Sequence, residues 1–151
     1  MDIAPSALTA GTHLVTPRRA YLHHGIYVGN GKVIHYAGLA DRFRGGPVEV
    51  ISIDAFTQGY SLWAVSGRVS RFTPEEVVRR AMSRLGENRY HLLKNNCEHF
   101  CEWCLRAEHR SYQVDRLLAV PRRMFEAASN LATNVLGAAG CRRQARDTLF
   151  V

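Results

Sequence analysis

The chain has 151 residues, 46% of them hydrophobic and 22% charged, the profile of one globular domain able to bury its own core. Its net charge of +7 rests on 18 arginines and two lysines, Lys32 and Lys94, and suits anionic lipid headgroups; the aromatics do not interleave with the basic residues as in a single-strand-binding groove, so nucleic acid is not an expected partner. No apolar run approaches the ~18 residues of a membrane span, and Met1-Asp2-Ile3-Ala4-Pro5-Ser6 has neither the basic nor the apolar region of a secretory signal, so a cytoplasmic location is expected.

Residues Thr12–Thr16 read as a first strand, ended by Pro17-Arg18-Arg19, and Tyr21–Val28 as a second. Gly29-Asn30-Gly31 is a hairpin turn whose Asn-Gly pair tolerates positive φ, and Lys32–Tyr36 is the returning strand. Gly38–Pro47, with three glycines and mixed charge, reads as a loop. Val48–Ile53 is a strand, Ala55–Gly59 a short turn, and Tyr60–Val65 and Arg68–Arg71 are further short strands. Thr73-Pro74-Glu75-Glu76 marks a helix start, with Thr73 as cap, Pro74 in the first helical position and Glu76 completing a capping box. Val77, Val78, Ala81 and Leu85 give this helix an apolar face, Arg79, Arg80 and Arg84 point outward, and Gly86 ends it. Tyr90–Leu93 is strand-like. A second helix runs from Cys97 to about Ala107, and Met124–Ala139 forms a weakly amphipathic helix before the basic Arg142-Arg143. Antiparallel strands followed by helix, loop and helix make an α+β pattern.

Cys97, Cys101, Cys104 and Cys141 do not form a disulfide framework in a chain of this size without an export signal, so reduced thiols are expected. The C-x3-C-x2-C spacing of the first three also resembles the one that holds an iron–sulfur cluster in radical enzymes using S-adenosylmethionine, but those cysteines lie on an extended loop near the start of a larger barrel. On a helix they share one face with Phe100, so Cys101 and Cys104 are read as core residues, ahead of a zinc site with His99 or His109. No metal and no cofactor is expected. Cys97 differs because it would sit at a helix N-terminus, where backbone N–H groups and the positive dipole end favour a thiolate and stabilise an oxyanion. On position alone it is equally a nucleophile or a core cysteine.

His23 and His35 flank the Asn30-Gly31 turn. Positions summing to about 60 or 61 should face each other, which places the two histidines a few residues from direct register and within reach of a hydrogen bond, one as base and the other as its orienter. His24 should point to the opposite face of the strand. His13, His91, His99 and His109 have no such partner and are read as structural.

His23-His24-Gly25-Ile26-Tyr27-Val28-Gly29-Asn30-Gly31, followed by Val33-Ile34-His35, resembles the first motif of the lecithin:retinol acyltransferase-like (LRAT domain) family. Asn96-Cys97-Glu98-His99-Phe100 resembles its second. Gly11-Thr12-His13-Leu14 and Ser111-Tyr112-Gln113-Val114 extend the similarity to about residues 9 to 115. The resemblance implies a circularly permuted papain-like (NlpC-type) α+β fold, an antiparallel sheet packed against helices, over a catalytic domain 1–120. It also implies that Cys97 is the nucleophile, His23 the general base and His35 the residue that orients or polarises it. The implied chemistry is that of a thiol-dependent acyltransferase or phospholipase: the cysteine takes an acyl chain from a lipid donor, a phospholipid foremost, and passes it to an alcohol, an amine or water.

The sequence departs from the family in three places. Position 24, usually aromatic in animal members, is His24, and the insertion of the retinol-specific founding enzyme is not evident. The run 124–139 is too short, and too polar at Asn130 and Asn134, to be the membrane anchor of many animal members. Residues 121–151 are read instead as a C-terminal amphipathic helix and basic tail. Residues 121–143 then either make a peripheral membrane contact or pack on the domain. Two other functions compete: an NlpC-type cysteine amidase or peptidase, and a non-catalytic binding module of the same fold.

Overall fold

The computed structural model describes residues 7–38, 45–67 and 69–120. The chain divides into two compact units, Met1–Gln113 and Val114–Val151. In the second, the described residues 114–120 are helical; Cys141 and the segment 121–143, expected either to contact a membrane or to pack on the domain, lie outside the described residues. Among the described residues no helix is long and apolar enough to cross a membrane.

The first unit is α+β. Five strands, β1 (His13–Pro17), β2 (Leu22–Gly29), β3 (Lys32–Tyr36), β4 (Val48–Ser52) and β5 (Trp63–Ala64), form one antiparallel sheet in the order β4-β3-β2-β1-β5. The hairpin between β2 and β3 turns on Asn30 and Gly31, both at positive φ (50° and 67°), the conformation that matches the twist of the flanking strands. Its pairs Gly25–His35, Ile26–Ile34 and Tyr27–Val33 sum to 60, and after an irregularity Gly29–Lys32 sums to 61. This is the register expected from the turn.

Alternation along β2 and β3 divides the core in two. Ile26, Ile34, Tyr36 and Val48 face α2 (Pro74–Ser83) and α3 (Cys97–Arg106), packing with Val77, Ala81, Phe100, Cys101, Cys104 and Leu105. Leu14, Tyr27 and Val33 face the other way, against Ile53 and Phe56 of α1 (Ile53–Thr57) and against Leu62. Each buried aliphatic or aromatic side chain contributes roughly 1.5–3 kcal/mol to the stability of this sandwich. At Gly25 a Cβ would stand 2.5 Å from Val33 Cγ1 and 2.9 Å from Phe56 Cε2, so only glycine lets β2 lie this close to Phe56.

Several local expectations need correction. The turn at Ala55–Gly59 is instead the short helix α1, because Ser52 Oγ accepts from Ala55 N–H at 3.2 Å and caps it. Arg18 binds the far end of α1, donating to the carbonyls of Phe56 at 2.5 Å and Thr57 at 3.5 Å. Of the strands expected over Tyr60–Val65 and Arg68–Arg71, only Trp63–Ala64 forms among the described residues, where β1 offers it register partners. Tyr90–Leu93 holds a single bridge, His91–Asn95, closing a tight turn.

Helix α2 is capped as expected by Thr73, whose Oγ1 accepts from Glu76 N–H at 3.3 Å, but the Glu76 carboxylate accepts from Arg79 Nε at 3.0 Å in place of the reciprocal bond of a capping box; the helix ends at Ser83, and Leu85 is exposed. Only Arg79 points outward. Arg80 donates to the carbonyls of Trp103 (2.7 Å) and Cys104 (3.2 Å), supplying cationic donors where α3 runs out of backbone partners. Arg84 lies over Trp103 and is bound by Glu87. The stems of these two arginines cover aromatic surface that their charge alone would have kept in water.

Candidate active site

The ring of His23 meets that of His35 diagonally across β2 and β3. His35 is the register partner of Gly25, two residues on from His23, and both histidines point to the face occupied by Phe56. His23 Nε2 and His35 Nδ1 lie 2.8 Å apart with their rings edge to face. The other nitrogen of His23, Nδ1, is buried without a hydrogen-bond partner. One ring nitrogen is therefore fixed and the other is open, the state a base needs before it accepts a proton.

Burial holds both rings neutral. It lowers the His23 pKa from 6.5 to about 2, helped by His35, Arg18 and His24, and that of His35 to about 4, opposed by the Tyr36 carbonyl. Unfolded histidines bind protons near pH 6.5 and these do not until well below it, so the native state is fully stable above pH 6.5 and loses stability as pH falls toward 4. The loss expected over that window is on the order of a few kcal/mol. Urea midpoints at pH 7 and pH 5 should differ, and the difference should shrink in a His23→Gln, His35→Gln double variant. Equal slopes in both proteins would mean that the pair is not held neutral.

Cys97 is the first residue of α3, as its position in the sequence predicts, and is 2% exposed. The β2–β3 ladder extends no further than Gly25–His35, and just beyond it the His24 N–H donates to the Cys97 sulfur. Burial pushes the thiol up to about 11, and the N–H groups of His24, Glu98 and Cys97 itself pull it down without overcoming burial. Cys104 is pushed to about 12 and Cys101 well above its ordinary value, chiefly by burial, so Cys97 ionises most readily of the three. Cys101 and Cys104 lie fully buried beside Phe100, as core residues do. Tyr21 joins the two halves of the site: its ring stands edge-on to His23 with centroids 6.0 Å apart, and burial and then the Cys97 charge raise its pKa.

The helix start is not free to serve the reaction with all its N–H groups. The Asn96 carboxamide oxygen accepts from both Glu98 and His99 N–H at 3.0 Å, which commits those two donors to the cap. The loop leading into it is braced by the Tyr36 hydroxyl, which donates to Glu87 (3.0 Å) and accepts from Arg89 N–H (2.8 Å) and Asn95 Nδ2 (3.3 Å). Hydrogen bonds from Arg84 hold the Glu87 carboxyl down at about 2.

Two functional residues were quoted in the sequence without a role. Gln113 clamps the start of β2, accepting from Leu22 N–H at 2.8 Å and donating to Leu22 O at 3.1 Å. The buried Glu98 carboxylate accepts from Gln113 N–H at 2.9 Å and from the Ser111 hydroxyl at 2.6 Å. Glu98 follows Cys97 and Leu22 precedes His23, so this bridge ties the start of α3 to the start of β2. The only signal for it was the Ser111-Tyr112-Gln113-Val114 similarity.

His13, read as structural and solitary, has a partner. Its Nε2 lies 2.9 Å from His24 Nδ1, diagonally across β1 and β2 and on the opposite face of β2 from His23. Because the Gln113 amide nitrogen, 3.0 Å away, can only donate to His24 Nε2, His24 carries its proton on Nδ1 and donates to His13. His99 meets His109 with tilted rings whose centroids are 5.0 Å apart, and His91 Nδ1 accepts from Leu93 N–H at 3.2 Å. Among the described residues no three His, Cys, Asp or Glu side chains converge on a point that would hold a metal.

Residues 6–110 match the family described as Lecithin retinol acyltransferase. The chain is 28% identical to the lecithin retinol acyltransferase of Mus musculus and 30% to that of Homo sapiens, in each case over 89% of this chain and 70% of the relative. It is 34% identical to phospholipase A and acyltransferase 2 of Homo sapiens over 76% of this chain and 80% of that protein.

Proposed function

The chain belongs to the lecithin retinol acyltransferase family, and on that footing we propose that it is a thiol-dependent acyltransferase or phospholipase acting on acyl lipids, with Cys97 as nucleophile, His23 as general base and His35 as its orienter. One observation carries this reading: the His23 ring is held by His35 through Nε2 and keeps a buried, unpaired Nδ1, while the next residue along β2 donates its N–H to the Cys97 sulfur. The finer fold assignment, a circularly permuted papain-like domain over residues 1–120, belongs to the same proposal.

In the first half-reaction Cys97 Sγ attacks the ester carbonyl carbon of the donor lipid as its proton passes to His23 Nδ1. With the thiol pushed up to about 11 and the imidazole down to about 2, the resting pair is thiol and neutral imidazole, and the proton moves as the C–S bond forms. The Cys97 N–H faces the developing oxyanion. The C–O bond breaks, the departing alkoxide takes the proton from His23, and an acyl-thioester remains on Cys97. In the second half-reaction an alcohol, amine or water gives its proton to His23 Nδ1 and attacks the thioester carbonyl; the C–S bond breaks and the sulfur recovers its proton. The neutral resting pair calls for no metal or cofactor.

Intact-mass spectrometry after incubation with a mixed phospholipid pool tests the proposal. The expected result is a single fatty-acyl increment on Cys97 that hydroxylamine removes. A protein that hydrolyses amide substrates and never carries an acyl group from lipid would sink the lipid reading in favour of an amidase.

A further inference from the structure

We infer that Glu49 is a positioning residue for the histidine pair: its carboxylate fixes the His35 proton on Nε2, so that His35 Nδ1 must accept from His23 and the His23 Nδ1 lone pair is left facing outward as the base. The inference rests on the assignment of His23 as general base made above.

Three observations lead to it. Glu49 and His35 are direct register partners on β4 and β3, and directly opposed side chains on one sheet face stand in contact. The Glu49 Oε1 atom lies 3.4 Å from His35 Nε2, a distance for an ion pair but beyond good hydrogen-bond geometry. That Nε2 is buried and has no hydrogen-bond partner, although a neutral imidazole with both nitrogens in use must either donate or accept there. A carboxylate only accepts, so the Nε2–H tautomer is the one it stabilises. The order of protons then follows along the pair: Nε2–H on His35, Nε2–H on His23 donated to His35 Nδ1, and an unprotonated Nδ1 on His23. With the other tautomer His35 would donate to His23, protonating neither its Nε2 nor the His23 Nε2, and the His23 proton would sit on Nδ1 where no base could act.

The groups facing His35 limit what else could do this. Phe56 of α1 offers only a ring edge. Arg18 adds positive charge, which opposes an imidazolium, the Tyr36 carbonyl favours one but carries no net charge, and His23 completes the surroundings. Glu49 is the carboxylate against the ring, and its side chain is 45% exposed on β4 at the sheet edge, so it can close the 3.4 Å gap as positive charge develops on the pair.

The test is Glu49→Gln in the full chain, which keeps the shape and removes the charge. Turnover of an acyl-lipid substrate is expected to fall about tenfold in kcat with KM unchanged, and the acidic limb of the pH profile to move about one unit lower, because an imidazolium without its carboxylate loses its proton more easily. Alkylation of Cys97 by iodoacetamide should slow in parallel, and Glu49→Asp should recover part of both rates. Long-range 1H–15N spectra of the unsubstituted chain give a readout independent of any variant: the His35 ring should appear as the Nε2–H tautomer. A Nδ1–H tautomer, or an unchanged rate and pH limb in Glu49→Gln, overturns the inference. If His23→Ala slows alkylation and Glu49→Gln does not, only the role of Glu49 falls; if neither slows it, the assignment of His23 falls as well.

Discussion

Replacing Cys97 with alanine is expected to abolish acyl transfer, by on the order of 10⁴-fold or more, the scale on which losing a covalent nucleophile is felt. The fold should survive, because the sulfur is small and the helix start is fixed by the Asn96 cap and the Glu98–Gln113 bridge, which other side chains make. Cys101→Ala and Cys104→Ala should do the reverse. Their side chains are fully buried against the sheet face of the core, so removing either leaves a small cavity that costs about 1 kcal/mol and spares the rate. Iodoacetamide at rising pH should modify Cys97 first, because backbone N–H groups offset part of the effect of its burial, leaving it at about 11 against about 12 for Cys104. Faster labelling of Cys104, or full turnover by Cys97→Ala, would refute the assignment.

The second large effect separates the two histidines. His23→Ala removes the proton acceptor and should lower kcat by roughly 10²–10⁴-fold, whereas His35→Gln or His35→Asn keeps a polar atom opposite His23 Nε2 and should retain part of the rate. The structure gives the reason for the asymmetry: the bond between the rings runs from His23 Nε2 to His35 Nδ1 at 2.8 Å, so His35 reaches the reaction only through His23. Steady-state rates of the three variants, checked against matched urea midpoints, decide it. Equal losses from both positions would mean that the roles are shared or exchanged.

The parts of this site legible in the sequence were those set by short-range rules. The Asn30-Gly31 turn fixes the hairpin register, and the register brings His23 and His35 together, so a count outward from the turn was enough. Asn96 before Cys97 marks a helix start in the same way. What was not legible depended on partners far apart along the chain. Gln113 reaches Leu22, and His13 reaches His24 by a pairing of β1 with β2 for which no tight turn states the register. Arg80 and Arg84 fit a polar helix face by spacing, but the orphan carbonyls of α3 and the ring of Trp103 drew them inward. Of the strands expected around residues 60 to 71 only the two-residue β5 forms among the described residues, because propensity cannot say how much sheet edge is there to pair with.

The narrow space at Gly25 bears on how the chain avoids assembling the wrong site. His23 and His24 are adjacent on β2 and face opposite sides of the sheet, each with its own histidine partner. A slip of one residue between β2 and its neighbours would exchange them, offering His24 to the side where His35 waits. Such a slip would also drive the side chain of His24 or Ile26 into the slot where even a methyl group comes within 2.5 Å of Val33. The misregistered sheet is thus excluded by volume, and the missing side chain at position 25 proofreads which histidine becomes the base.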